Sequence, residues 1–376
     1  MPKPLTIAVD IRDLRLAQTG TRTYLEELCN EFKKMDGNDI RFHFLDVNIP
    51  VYTGSNKLLK LIEHARYQLW KQLVLPVKAF AKGCDLIFCT DNFVPLIHLG
   101  YKTIPVFHDA FFFETPENYG RLWLWLYKKT AIPAAKRSPF VITPTAYAKK
   151  QINHFTQIAS DKLVVIYEGP KTLGSAQTNM EGEQLLSSFS LSPGNYLLHV
   201  GSMFKRKNIP ALIYAFGKIK ALGYPELKLV LAGPTPTTLS ISDHQLIADA
   251  IEATQLKDEI ILTGYLPDEA LGQLYKNALL YVFPSVNEGF GIPILEAFSN
   301  DVPVIVANNT CLPEVGGDAV LQFDPFDIDD ISQKIKTVID DAELRKDMIS
   351  KGRERLKLFS WHQTALQLVA VFKKAV

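Results

Sequence analysis

Pro284-Ser-Val-Asn-Glu288-Gly-Phe-Gly-Ile-Pro-Ile-Leu-Glu296-Ala-Phe298 follows an apolar run of strand length (278–283) and leads into a helix-length segment. Gly289 and Gly291 let the backbone approach a ligand closely, and the N–H groups that open a helix can point at a phosphate. Pro293 suits the first helical turn, where a missing N–H does no harm. Glu288 falls at the loop mouth and Glu296 about two turns deeper, so both carboxylates can accept hydrogen bonds from sugar or ribose hydroxyls. Strand, glycine loop and helix in this order are the repeating unit of a parallel α/β sheet. Taken alone, the stretch fits a structural turn as readily as an anion and polyol site.

The same alternation extends outward in both directions. Strand candidates at 5–10, 40–45, 85–89, 103–107, 139–143 and 163–166 are separated by helix-length stretches at 23–35, 57–82, 121–137 and 145–155. Beyond residue 194 it resumes, with strands at 196–200, 227–232, 259–263, 279–283 and 303–306 and helices between them. This is the pattern of parallel α/β domains. Residues 170–193 are polar and aperiodic and read as a loop or linker. A chain of 376 residues is too long for one typical core. Two domains follow, 1–170 and 194–359, with a final helix over 360–376 packing back on the first. Ser360 is its N-cap candidate, and Trp361, Leu368 and Phe372 fall among its apolar positions.

Charge narrows the function. Lys and Arg total 41 against 40 Asp and Glu, which argues against a nucleic-acid binder relying on a broad basic surface. The four cysteines lie singly, with no C-x-x-C pair, as expected of buried thiols in a reducing compartment. The chain runs from Met1 almost directly into a strand, and no stretch approaches the roughly 20 apolar residues that span a bilayer. The expected place is the cytoplasm, at most on a membrane surface.

A second constellation, His199-Val-Gly201-Ser-Met-Phe-Lys205-Arg206-Lys207-Asn208, also lies between a strand and a helix. Three consecutive cations at a strand's carboxyl end fit a diphosphate, because ligands bind at that edge of open sheets. Arg holds phosphate bidentately and Lys adds a point charge. A solvated basic turn is the alternative, and the position at a strand end favours the ligand site.

These two stretches, with Leu262-Thr-Gly-Tyr265-Leu-Pro-Asp-Glu and Leu312-Pro-Glu-Val-Gly-Gly-Asp-Ala-Val, resemble the second domain of retaining GT-B glycosyltransferases of family 4. The Glu288-x7-Glu296 spacing matches that family's signature. Arg206-Lys207-Asn208 matches its Arg-Lys-Asn branch, which is mannosyltransferase-like. The first half agrees through Asp10-Ile-Arg12, Thr19-Gly20-Thr-Arg-Thr-Tyr24, His108-Asp109 and Thr143-Pro-Thr145. The sequence departs from the pattern at Ser299-Asn300-Asp301-Val302-Pro303, where many relatives carry a small residue and Gly, and at Ser202, where another branch has Arg.

The resemblance implies two facing Rossmann-like domains with a donor cleft between them. It implies a retaining transfer of a hexosyl unit from a nucleotide diphosphate sugar to a glycan or lipid-linked glycan acceptor, with GDP-mannose the first donor to test. Arg206 and Lys207 would neutralise the leaving diphosphate, and Glu296 would bind the ribose. Glu288, with the backbone of Gly289, Phe290 and Gly291, would hold the transferred sugar. Gly20 would let the first loop approach the phosphates or the acceptor across the cleft, Gly201 and Tyr265 would belong to the donor site, and His108 would contact the donor sugar. No metal or other cofactor is implied.

Other signals read as structure. Asp327-Ile-Asp329 matches a metal-binding pattern of another glycosyltransferase fold, but its place before a helix favours N-capping. Arg121-Leu-Trp-Leu-Trp-Leu-Tyr-Lys-Lys129 reads as a buried helix or as a surface that meets a membrane. Two rival functions stay in view: a nucleotide-sugar epimerase on the same scaffold and a non-catalytic glycan-binding protein.

Overall fold

The computed structural model describes residues 3–15, 20–47, 49–52, 54, 56–174, 179–234 and 242–376. The chain divides into two compact units, Met1–Gly169 with Ser360–Val376, and Pro170–Phe359.

The first unit begins with β1 (Leu5–Asp10), α1 (Gly20–Met35) and β2 (Ile40–Leu45), then the long helix α2 over residues 57–81. β3 (Leu86–Cys89), β4 (Lys102–Pro105), helix α3 over residues 121–137, β5 (Val141–Thr143), α4 (Ala146–Thr156) and β6 (Leu163–Val165) follow. Four strands pair in parallel in the order β2-β1-β3-β4, with Val9 opposite both Phe44 and Phe88. A bridge between Val106 and Ile142 links this sheet to the parallel pair β5-β6. Helices cover both faces, so the central strands are apolar almost throughout, and Ile7, Ala8 and Val9 are fully buried.

α2 and α3 share an irregularity. Each widens into a π turn, Trp70–Val74 and Tyr127–Ala131, shortly before a proline, Pro76 and Pro133. A proline removes one N–H and its ring crowds the carbonyl four residues back, so a local widening relieves the clash.

The second unit runs α5 (Asn179–Ser188), β7 (Tyr196–Val200), α6 (Ile209–Ala221), β8 (Lys228–Ala232), α7 (His244–Thr254), β9 (Ile260–Gly264) and α8 (Asp268–Asn277). It continues with β10 (Leu280–Phe283), α9 (Ile292–Ser299), β11 (Val304–Ala307), β12 (Val320–Phe323), α10 (Ile328–Asp340) and α11 (Ala342–Leu356). Six parallel strands lie in the order β12-β11-β10-β7-β8-β9, the doubly wound Rossmann arrangement with its reversal between β7 and β10. Asp327 caps α10, its side chain accepting from the N–H groups of Asp329 and Asp330.

The stretch 170–193 is not the plain linker its polarity suggested. Within it lies α5, whose Leu186 is buried and whose Gly182 passes so close to Gln273 of α8 that a Cβ would stand 2.4 Å from its side-chain oxygen. Residues 175–178 of that stretch lie outside the described residues. Strand β12 was also not anticipated; only four residues long, it lacks a clear apolar run.

The last helix, α12 (Trp361–Ala375), belongs to the first unit. Trp361, Leu368 and Phe372 enter the core that holds Val9, Leu28 and Phe88, and the Phe372 ring lies 5.1 Å from that of Phe88. Gly169 is packed against this helix: a Cβ there would stand 2.7 Å from the Trp361 ring.

Candidate active site

The cations of the second unit stand where its strand order reverses, on the loop leaving β7, and Glu288 lies on the loop leaving the neighbouring strand β10. The two loops are pinned together, since the Val286 N–H donates to the Arg206 carbonyl at 2.8 Å. Lys205–Lys207 form one 3-10 turn, closed by Asn208 in the left-handed conformation with φ 55°. That turn delivers Arg206 Nη1 and Lys207 Nζ to the same oxygen, Glu288 Oε1, at 2.8 and 2.7 Å. Lys207 and Glu288 are buried.

The three charges set one another's ionisation. Burial alone would raise the Glu288 pKa, but the Arg206 and Lys207 charges outweigh it and hold the carboxyl at about 2. Burial also pulls Lys207 below the ordinary lysine value, with Glu288 opposing. Two cations and one carboxylate leave a net positive charge at the sheet edge, ready for an anion.

Glycine is required beneath this group. Gly201 has φ 151°, and a Cβ there would stand 3.3 Å from Lys207 Cε. The Cys311 thiol, after β11, lies 3.2 Å from both the Glu288 and Phe290 carbonyls of the loop after β10, acceptors for its S–H. Gly291, at φ 103°, opens α9. Phe290 is buried, its ring 5.9 Å from that of Phe359.

Glu296 lies on α9, buried, and accepts a 2.9 Å hydrogen bond from the Tyr275 hydroxyl on α8. Burial lifts its pKa to about 7 against that bond. His199, at the end of β7, donates from Nδ1 to the Val282 carbonyl at 3.0 Å. Burial and then Lys207 depress it to about 4, so the ring is neutral at physiological pH. Its Nε2 has no hydrogen-bond partner among the described residues. Tyr265 follows the edge strand β9, two strands from the reversal, and is 76% exposed.

In the first unit, His108 Nε2 meets the Thr90 carbonyl at 3.0 Å and Nδ1 meets Glu168 at 3.3 Å. Both partners are acceptors, so only the protonated ring donates to both at once. Burial would strip that proton away, but Glu168 prevails and raises the pKa. Tyr24 stands edge-on to the ring at 4.8 Å. Gly20 opens α1 and is exposed, while residues 16–19, including Thr19 of the opening loop, lie outside the described residues.

Among the described residues, Asp10, Cys89 and Asp91 are near enough to share a metal ion. A cation already stands there: the buried Lys71 ammonium lies 2.6 Å from Asp10 and 2.5 Å from Asp91. Burial pushes the Cys89 thiol well above its ordinary value, which keeps it protonated and a poor ligand.

Sequence reasoning had missed Tyr275, Glu168 and the unpartnered His199 nitrogen. Tyr275 pairs with a residue 21 positions away through the fold alone. Glu168 offered one weak signal, a carboxylate just past a strand end.

Residues 187–355 match the family described as "Glycosyl transferases group 1". That match takes in most of the second unit, including Arg206, Lys207, Glu288 and Glu296. The chain is 28% identical over 374 residues to the O-antigen chain mannosyltransferase B of Escherichia coli, covering 99% of this chain and 93% of that one. Among solved structures, the sucrose-phosphate synthase of Thermosynechococcus elongatus superposes with a TM-score of 0.72 at 18% identity over 98% of both chains. Anabaena Alr3699/HepE, solved in complex with UDP-glucose, gives 0.72 at 15% identity, over 98% of this chain and 99% of that one. The likeness to these solved structures establishes the GT-B fold of the chain.

Proposed function

We propose that this glycosyltransferase moves a mannosyl unit, with retention of configuration and without a metal, from a nucleotide diphosphate sugar to a glycan or lipid-linked glycan acceptor. GDP-mannose is the donor to test first. The observation that carries the reading is the convergence of Arg206 and Lys207 on Glu288 at the strand reversal. The O-antigen mannosyltransferase likeness along nearly the whole chain supports the sugar and the kind of acceptor.

The chemistry follows from the charges. As the bond from sugar to diphosphate breaks, negative charge grows on the leaving oxygen. Two cations fixed in advance at a buried edge stabilise that charge with little reorganisation. Glu288, held at about 2 and bonded by both cations, is a weak base and a weak nucleophile. A displacement on the face of the leaving group, assisted by the phosphate, fits a site so built. Glu288 and the 289–291 backbone orient the sugar, and Glu296 accepts from the ribose hydroxyls.

The test is a panel of nucleotide sugars scored for binding and turnover, with the anomeric configuration of the product read by NMR and EDTA in a parallel series. The proposal expects GDP-mannose to lead, an α product from an α donor, and no loss with EDTA. Inversion, or activity lost to chelator and restored by Mg²⁺ or Mn²⁺, overturns the corresponding part. Consumption of donor without acceptor and with an epimerised sugar would support the epimerase instead.

A further inference from the structure

We infer that the outer face of the first unit, built by α2 and α3, docks on the surface of an anionic lipid bilayer. α2 is apolar on two sides. Its inward side places Trp70, Leu75 and Ala79 in a core with Ala8, Ile87 and Val94. Its outward side carries Leu58, Ile62, Leu69, Leu73, Val77 and Phe80, with Leu58 65% and Phe80 61% exposed. These positions recur at helical spacing over 23 residues, a stripe of roughly 33 Å at the helical rise.

α3 extends the face. Phe93 touches Tyr67 of α2 at 5.7 Å, and Trp123 and Tyr127 of α3 at 6.0 and 5.7 Å. Gln72 of α2 holds the connecting loop through Val94 and Leu96, and Arg137 at the end of α3 donates to the Leu96 carbonyl. α3 buries Tyr127 but leaves Leu122 and Trp125 exposed by 59% and 57%. Within the 121–129 run only Tyr127 is buried, so the run is not the wholly buried helix that one reading of its sequence gave. Ile97 and Leu99 of the loop are exposed as well.

Charge selects the occupant. The stretches 57–84, 94–102 and 119–137 contain one carboxylate, Glu63, and it is buried against Arg12. Exposed Lys60, Lys82, Arg121, Lys128 and Lys129 lie among the apolar residues. Asp85, Glu114 and Glu117 border these stretches, but within them the exposed charged groups are basic, in a chain whose net charge is only +1. Apolar side chains reaching the acyl boundary, with cations at the headgroups, are what an anionic membrane surface binds. A second copy of this face would instead bring like charges together. No helix among the described residues is long and apolar enough to cross a membrane, so the contact is peripheral.

This inference does not depend on which sugar is transferred, and binding tests it directly. The full chain is sedimented with vesicles of phosphatidylcholine alone or mixed with phosphatidylglycerol. Wild type should pellet with the anionic vesicles and bind neutral ones at least tenfold more weakly. Leu69→Glu/Leu73→Glu should lower anionic-vesicle binding by roughly tenfold or more, with the melting temperature unchanged because both side chains point outward. Arg121→Glu/Lys129→Glu, which leaves the apolar stripe intact, should abolish the preference for anionic lipid. Wild type remaining in the supernatant, or both double variants pelleting as wild type does, overturns the proposal. So does light scattering that shows a dimer split by Leu69→Glu/Leu73→Glu, which would assign the face to a second copy.

Discussion

Glu296 shows how one buried side chain couples structure to pH. Its carboxyl titrates near 4.5 when unfolded and at about 7 in the fold, because burial disfavours the charge. A group raised on folding contributes stability that is fully present below 4.5 and is lost as the pH rises through 7. The shift corresponds to roughly 3 kcal/mol. Melting curves from pH 4 to 8 should show wild type losing ground steadily to Glu296→Gln across that window; parallel curves would contradict the assignment. In turnover the same variant should mainly raise the donor KM, since ribose hydroxyls do not change during reaction. Glu288→Gln should act through Lys207. That lysine is already lowered by burial with Glu288 as its counterweight, so the basic limb of the pH–rate profile should move to lower pH in the variant. An unmoved limb would mean that Lys207 does not carry the charge that matters.

At the scale of elements, the sheet edge depends on close backbone approach. A Cβ on Gly233, whose φ is 144°, would stand 2.2 Å from the Gly201 carbonyl oxygen, so the loops after β7 and β8 have no room for a side chain there. Gly233→Ala should lower the melting temperature and also weaken nucleotide binding, because Gly201 borders Lys207. Binding unchanged in a folded variant would separate the two loops functionally. Most of these elements were legible in the sequence. Strands such as β1, β7 and β10 are buried on both faces and read as short apolar runs, and the loops after β7 and β10 carried their glycines and cations openly. α5 was hidden because it rests on one buried leucine and a close glycine contact with α8, neither of which has a periodic signature. The π turns left only their prolines as a trace. The bond from Tyr275 to Glu296 joins two helices and becomes visible only when they pack.

At the scale of the whole molecule, the chain returns at its end to the unit where it began. Phe372 is fully buried among Phe32, Phe42 and Phe88, so Phe372→Ala should cost about 3–5 kcal/mol by denaturant melts. Removing residues 360–376 should expose the first unit's core and cause aggregation; a soluble, fully active truncation would contradict that packing. The two units also contribute unequal evidence to the function. The second presents fixed cations for a diphosphate, while the first presents a His108 already paired with Thr90 and Glu168. The account therefore rests on the switch-point cations, and Lys207→Ala measures them most directly. With donor and acceptor saturating and the fold checked by circular dichroism, kcat should fall by roughly 10²- to 10³-fold, as for the loss of one oxyanion-type donor. A folded Lys207→Ala protein that keeps wild-type kcat would place the diphosphate elsewhere.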